Sequence, residues 1–146
     1  MKRRFQLACD INGIKLIDDY AHHPTEIEAT LKSAKELKDK KIVNRIIAVF
    51  QPHRYTRLHG LWDEFKTCFA DADVVYGLDV YPAGESPIKG YESVDFCNQT
   101  GYEYLSGSLE DASEKLKNKF QSGDIVLMLG AGSVVKLTQF LKGKLQ

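Results

Sequence analysis

Apolar positions along this chain follow two rhythms. Short runs at 5–9, 14–18, 46–50, 74–78, 102–105 and 124–129 read as strands, and those at 46–50 and 124–129 are apolar enough for burial on both faces. Between them the apolar residues recur at helical spacing. Ile27, Leu31, Ala34 and Leu37 mark a helix over 25–37, and Leu58, Leu61, Trp62, Phe65 and Phe69 mark a second. Leu109, Ala112, Leu116 and Phe120 mark a third, a short helix is expected over 93–99, and a last one starts at 134 and reaches 141 or beyond.

Punctuation residues agree with these elements. Asn12-Gly13 suits a two-residue hairpin turn between the first two strands. Pro24 and Glu26 favour the start of the first helix, and Lys35 and Lys38 favour its end, where the basic run 38–41 reads as a solvated terminus. Ser108 with Asp111 resembles a capping box, and Ser122-Gly123 closes the helix it opens. Strands alternating with helices predict one α/β domain over 1–146, an open and mostly parallel sheet with helices on both faces and an N-terminal antiparallel hairpin.

Composition narrows the class. With 146 residues, 43% hydrophobic and 27% charged, the chain can bury one core, and no apolar stretch is long enough to span a bilayer. Twenty basic residues balance twenty acidic ones, so no overall field draws it to nucleic acid or anionic lipid. Cys9, Cys68 and Cys97 are odd in number and widely spaced, which favours a reduced, cytoplasmic compartment. Met1 leads directly into Lys2-Arg3-Arg4-Phe5 and a strand, so we expect the chain to be cut from a longer one.

The chemistry gathers where strands hand over to helices. At Asp18-Asp19-Tyr20-Ala21-His22-His23-Pro24 an extended chain sends Asp18, Tyr20 and His22 to one side, and Asp19, Ala21 and His23 to the other. His53 and His59 lie in or just after the loop that follows the third strand, so all four histidines point to one edge of the sheet, the edge where open α/β folds bind ligands. Arg54 and Arg57 are spaced for one face of a helical turn and suit a small carboxylate or phosphate. Equally, that pair could tie loops together through Asp18, Asp19 or Glu85. Adjacent His22 and His23 aim poorly at one ion, and no zinc-type spacing is present, so no metal site is expected in this chain. Gly130-Ala131-Gly132-Ser133 offers backbone N–H groups to an anion or is a plain connector. No P-loop is present.

Three segments in this order, Asp18-Asp19-Tyr20-Ala21-His22-His23-Pro24-Thr25-Glu26, Phe50-Gln51-Pro52-His53-Arg54-Tyr55-Thr56-Arg57 and Asp79-Val80-Tyr81-Pro82-Ala83-Gly84-Glu85, resemble the C-terminal domain of the Mur ligases. The resemblance runs from Arg3 through Gly132, and Ser133 stands where many members carry Asp or Asn. It implies a Rossmann-like fold that closes over an active site shared with an N-terminal UDP-binding domain and a central ATPase domain. The motifs are most similar to those of members that use ATP and Mg2+ to join L-alanine to UDP-N-acetylmuramate in peptidoglycan synthesis. Arg4 and Asp19 then look like nucleotide contacts. Tyr20, His22, His53, Arg54 and Arg57 look like the pocket for the incoming alanine. A murein peptide recycling ligase, and a stand-alone Rossmann-type module for a small anion or nucleotide, are the alternatives.

Overall fold

The computed structural model describes residues 4–145, so Arg3, where the family resemblance begins, and Met1 lie outside the described residues. Six strands form one sheet: β1 (Gln6–Ile11), β2 (Ile14–Asp19), β3 (Arg45–Phe50), β4 (Val74–Leu78), β5 (Glu103–Leu105) and β6 (Asp124–Leu129). The helices are α1 (Pro24–Asp39), α2 (Tyr55–Gly60), α3 (Trp62–Thr67), α4 (Ser93–Thr100), α5 (Leu109–Leu116) and α6 (Val135–Leu145). The sheet order is β1-β2-β6-β3-β4-β5, with β1 antiparallel to β2 and every other pairing parallel.

The period-two pattern divides the core. Ile46, Ala48 and Phe50 of β3 with Ile125, Leu127 and Leu129 of β6 face α1, α2, α3 and α4. Ile47 and Val49 with Val126 and Met128 face α5 and α6. Every one of these strand residues is buried, as expected of strands covered on both sides. Phe50 anchors the larger layer, with ring centroids 5.2 Å from Phe65, 5.2 Å from Phe69 and 6.4 Å from Phe96. The hairpin turn is also local chemistry made visible: Asn12 and Gly13 both have positive φ, 54° and 81°, as a type I′ turn requires.

Two helices depart from expectation. The second is broken into α2 and α3 at Leu61, whose φ of −118° and ψ of 25° leave the helix, next to Gly60 with its low helix propensity. The apolar period survives because both pieces pack on the same layer, while Phe69 lies beyond α3 and is still buried. α5 has the expected capping box, with Asp111 N–H donating to Ser108 Oγ at 3.0 Å, but ends at Leu116 rather than near Ser122-Gly123. Beyond it Arg45 donates to the Lys119 carbonyl at 3.0 Å and Asp124 accepts from Gln121 N–H at 2.8 Å, drawing the chain back to the start of β3 and β6.

No helix of the described residues is long and apolar enough to cross a membrane. The cysteines are free, and burial pushes the thiols of Cys68 and Cys97 up to about 12 and about 11.

Candidate functional site

Parallel pairing aligns the carboxyl ends of the central strands. Asp19 sits across from Leu129, Leu129 from Phe50, and Phe50 from Gly77, so the segments that follow β2, β6, β3 and β4 emerge at one edge. Because β6 and β3 send their following helices to opposite layers, a crevice opens between their ends, the topological switch point of an open sheet.

Gln51 fills it. This buried amide donates from Nε2 to Ser133 Oγ at 3.1 Å and accepts from Val134 N–H at 3.0 Å, while its own N–H reaches the Leu129 carbonyl at 2.9 Å. One N–H at the start of α6 is thereby already taken within the fold. Glycine is required for close approach, since a Cβ on Gly130 would lie 2.9 Å from the Gln51 carbonyl and one on Gly132 would lie 2.6 Å from the Tyr81 ring. Ser133, unlike an Asp or Asn, contributes a hydroxyl that holds the Gln51 amide.

The end of β2 alternates as extended geometry dictates, but the alternation does not persist beyond it, since the rings of His22 and His23, expected on opposite sides, lie 4.8 Å apart. Asp18 turns to α6, where Thr138 Oγ1 donates to it at 2.7 Å, and Asp19 turns to α1. Asp19 is only 1% exposed and accepts from Phe5 N–H at 2.8 Å, Ala21 N–H at 2.8 Å and Thr30 Oγ1 at 3.1 Å. With three of about four lone-pair sites used, this carboxylate first of all ties the N-terminal segment to α1. Arg4 and Asp19 nevertheless line one pocket of about 140 Å³, with Phe5, Ala29, Thr30 and Ser33. The Arg4 guanidinium, which lines it, lies 3.7 Å from Glu26.

Tyr20, His22 and His53 converge as the spacing suggested. The His22 ring meets Tyr20 edge-on at 5.3 Å, His23 at 4.8 Å and His53 at 6.1 Å. His59 does not join them, because α2 carries it to Tyr91, 4.3 Å away. Hydrogen bonds assign the tautomers. His22 Nδ1 lies 3.1 Å from the Tyr20 carbonyl, which can only accept, so Nδ1 carries a proton and Nε2 is left as the basic nitrogen of the neutral ring. His53 Nδ1 lies 3.2 Å from Arg57 Nη1, which can only donate, so here Nδ1 is bare. Burial lowers the His53 pKa, and the positive charges of Arg57, His22 and Arg54 lower it further, so this ring stays neutral where a free histidine would charge.

Glu26 frames the site from α1. It accepts from His22 N–H at 3.2 Å and His23 N–H at 3.1 Å, and its Oε1 is 3.6 Å from His22 Nδ1. Burial works to raise its pKa, but those two hydrogen bonds and both imidazoles outweigh it and hold the carboxyl below its usual range.

Arg54 is exposed and Arg57 half-buried, and among the described residues neither forms an ion pair with a carboxylate, including Asp18, Asp19 and Glu85. No group of three or more His, Cys, Asp or Glu among the described residues could hold a metal ion. Sequence reasoning gave Glu26 and Glu85 only structural parts, a helix start and a possible tie to the arginines, and assigned no part to Gln51 and Tyr81. Glu26 and Gln51 sit within or beside the histidine motifs, and Tyr81 and Glu85 lie in the third motif, so their positions were the available signal.

Fold and site together define a Rossmann-like α/β domain that presents an imidazole and guanidinium cluster at the carboxyl edge of its sheet. Residues 3–132 match the Mur ligase, glutamate ligase domain family, and the chain belongs to it. The UDP-N-acetylmuramate–L-alanine ligase of Rickettsia felis is 42% identical over 99% of this chain. Among solved structures, a UDP-N-acetylmuramate–alanine ligase from Thermotoga maritima is similar with a TM-score of 0.71 and 28% identity, covering 97% of this chain and 29% of its own. A murein peptide ligase from Psychrobacter arcticus gives a TM-score of 0.74 and 27% identity, covering 99% of this chain and 30% of its own. The chain spans 31% of the length of the Rickettsia felis relative.

Proposed function

We propose that this chain is the C-terminal domain of a cytoplasmic ligase that uses ATP to join L-alanine to the lactyl carboxylate of UDP-N-acetylmuramate during peptidoglycan synthesis. The observation that carries this reading is the meeting of Tyr20, His22 and His53 with Arg54 and Arg57, two guanidinium groups without carboxylate partners among the described residues. A free amino acid presents a carboxylate to be held and an amine to be aimed. Planar guanidinium groups suit the first task, and fixing the carboxylate points the amine at the activated carboxyl of the sugar.

Arg4 and Asp19 form one wall of the nucleotide site, and the remaining walls belong to the N-terminal and central domains of the parent polypeptide. ATP supplies phosphoryl activation of the lactyl carboxylate, with Mg2+ held mainly outside this chain. This domain's own residues bind alanine and exclude water from the activated carboxyl as the domains close. His53 keeps a neutral ring at neutral pH, so it adds no further ammonium-repelling charge beside the two arginines.

The test is phosphate release with UDP-N-acetylmuramate, ATP, Mg2+ and L-alanine, on this chain and on its full-length parent. Activity in the parent alone is expected. Arg54→Ala in the parent should raise the KM for alanine roughly 10- to 150-fold, the equivalent of about 1.5–3 kcal/mol for a lost charged hydrogen bond. Turnover of a peptide but not of alanine would instead identify a recycling ligase.

A further inference from the structure

The loop after β4 grips the loop after β3 along its length. Tyr81 N–H donates to the Pro52 carbonyl at 2.8 Å, and the Tyr81 carbonyl accepts from Arg54 N–H at 2.8 Å. The Tyr81 ring stacks on His53 with centroids 5.4 Å apart and planes 11° from parallel, and it also packs against Gly132, where a side chain would collide with it. Four residues on, Glu85 accepts from Thr56 N–H at 3.0 Å and Thr56 Oγ1 at 2.7 Å. Between these grips lies Arg54, with φ of 74° and ψ of 139°, a backbone conformation that a residue with a side chain holds only when its surroundings impose it.

We propose that Tyr81 and Glu85 are positioning residues of the amino-acid pocket: together they hold Arg54 in its strained conformation and set His53 and Arg57 against each other. The proposal rests on the reading of Arg54 and Arg57 as the carboxylate anchor. Tyr81 pins residues 52 and 54, Glu85 pins residue 56, and the chain between has no freedom to relax. Arg57, one turn into α2, then arrives at His53 Nδ1. Glu85 spends its carboxylate on Thr56 and forms no ion pair with Arg54, so the loop is held without consuming the charge it presents. Those two hydrogen bonds, with Arg54's charge beside them, hold the Glu85 carboxyl below its usual range, so it is ionised at neutral pH.

Steady-state kinetics of the full-length ligase, with each of the three substrates varied in turn, test this. Glu85→Ala should raise the KM for L-alanine about tenfold while the KM values for ATP and UDP-N-acetylmuramate stay within about twofold. Thr56→Val, which removes the hydroxyl bond and keeps the backbone one, should act in the same direction with a smaller rise, and the double variant should be no worse than Glu85→Ala, which already removes both. Glu85→Gln should fall between, because its Oε1 can accept from Thr56 N–H and its NH2 can donate to a rotated Thr56 hydroxyl, but both bonds lose charge assistance, and Thr56→Ser, which keeps both, should match the wild type. An unchanged alanine KM in Glu85→Ala, or an equal rise in all three KM values, overturns the proposal if Arg54→Ala still raises the alanine KM. If Arg54→Ala also leaves it unchanged, the reading of the pocket itself falls, and the proposal with it.

Discussion

Asp19→Asn separates a structural carboxylate from one that merely faces a ligand. In the folded domain its oxygens accept from Phe5 N–H, Ala21 N–H and Thr30 Oγ1, and the side chain is buried. An asparagine can keep its carbonyl on Ala21 N–H, but its NH2 then meets two donors. The Thr30 hydroxyl can rotate and accept; Phe5 N–H cannot. One part-buried donor loses its partner and the remaining bond loses its charge assistance, which together cost about 3 kcal/mol. With a urea slope of about 1.5–2 kcal/mol/M for a domain of this size, the unfolding midpoint should fall by about 1.5–2 M with the slope unchanged. Thr30→Val, which removes one donor and leaves the other two bonds, should cost about 1 kcal/mol. The assay is equilibrium urea unfolding of the 146-residue chain followed by Trp62 fluorescence, with no nucleotide present. A midpoint within about 0.5 M of wild type in Asp19→Asn would refute the account, and would leave Asp19 as a ligand contact only.

Protonation of His53 gives a second prediction. Its folded pKa is below the ordinary value of 6.5, so at and below that pH the unfolded chain binds more protons; the stability associated with this ring is fully present above about pH 6.5 and is lost as pH falls towards the folded pKa. An NMR titration should find the His53 midpoint below 6.5, and a midpoint above it would reverse the sign. Gly132→Ala should push the Tyr81 ring from its place, costing about 1–3 kcal/mol by overpacking. A crystal structure of that variant should show the Tyr81 and His53 rings no longer stacked, and an unchanged stack would refute it.

Much of this protein was legible because the signals are local. A strand shows in alternation, a helix in the recurrence of apolar residues, the hairpin in Asn12-Gly13, and the third large helix in Ser108 with Asp111; each is encoded within a few residues of itself. The directions of Asp18 and Asp19 followed from the same rule, since an extended chain must send neighbours to opposite sides. The histidine and arginine motifs carried the family likeness directly.

Tertiary structure decided what depends on distant partners. Spacing could not show that His59 would leave the other histidines for Tyr91, because the direction of α2 is set by what it packs on. Nor could it show that Gln51 would be held by Ser133 and Val134, that Tyr81 would press on His53, or that Asp19 would spend its lone pairs on Phe5, Ala21 and Thr30. The insertion of β6 between β2 and β3 makes most of these meetings possible, and only the pairing of strands more than 70 residues apart brings it about. Sequence alone therefore determined which elements form and which family the motifs belong to. Which tautomers, donors and strained backbone the motif residues adopt was decided by packing, where free energy depends on neighbours that the chain meets only after folding.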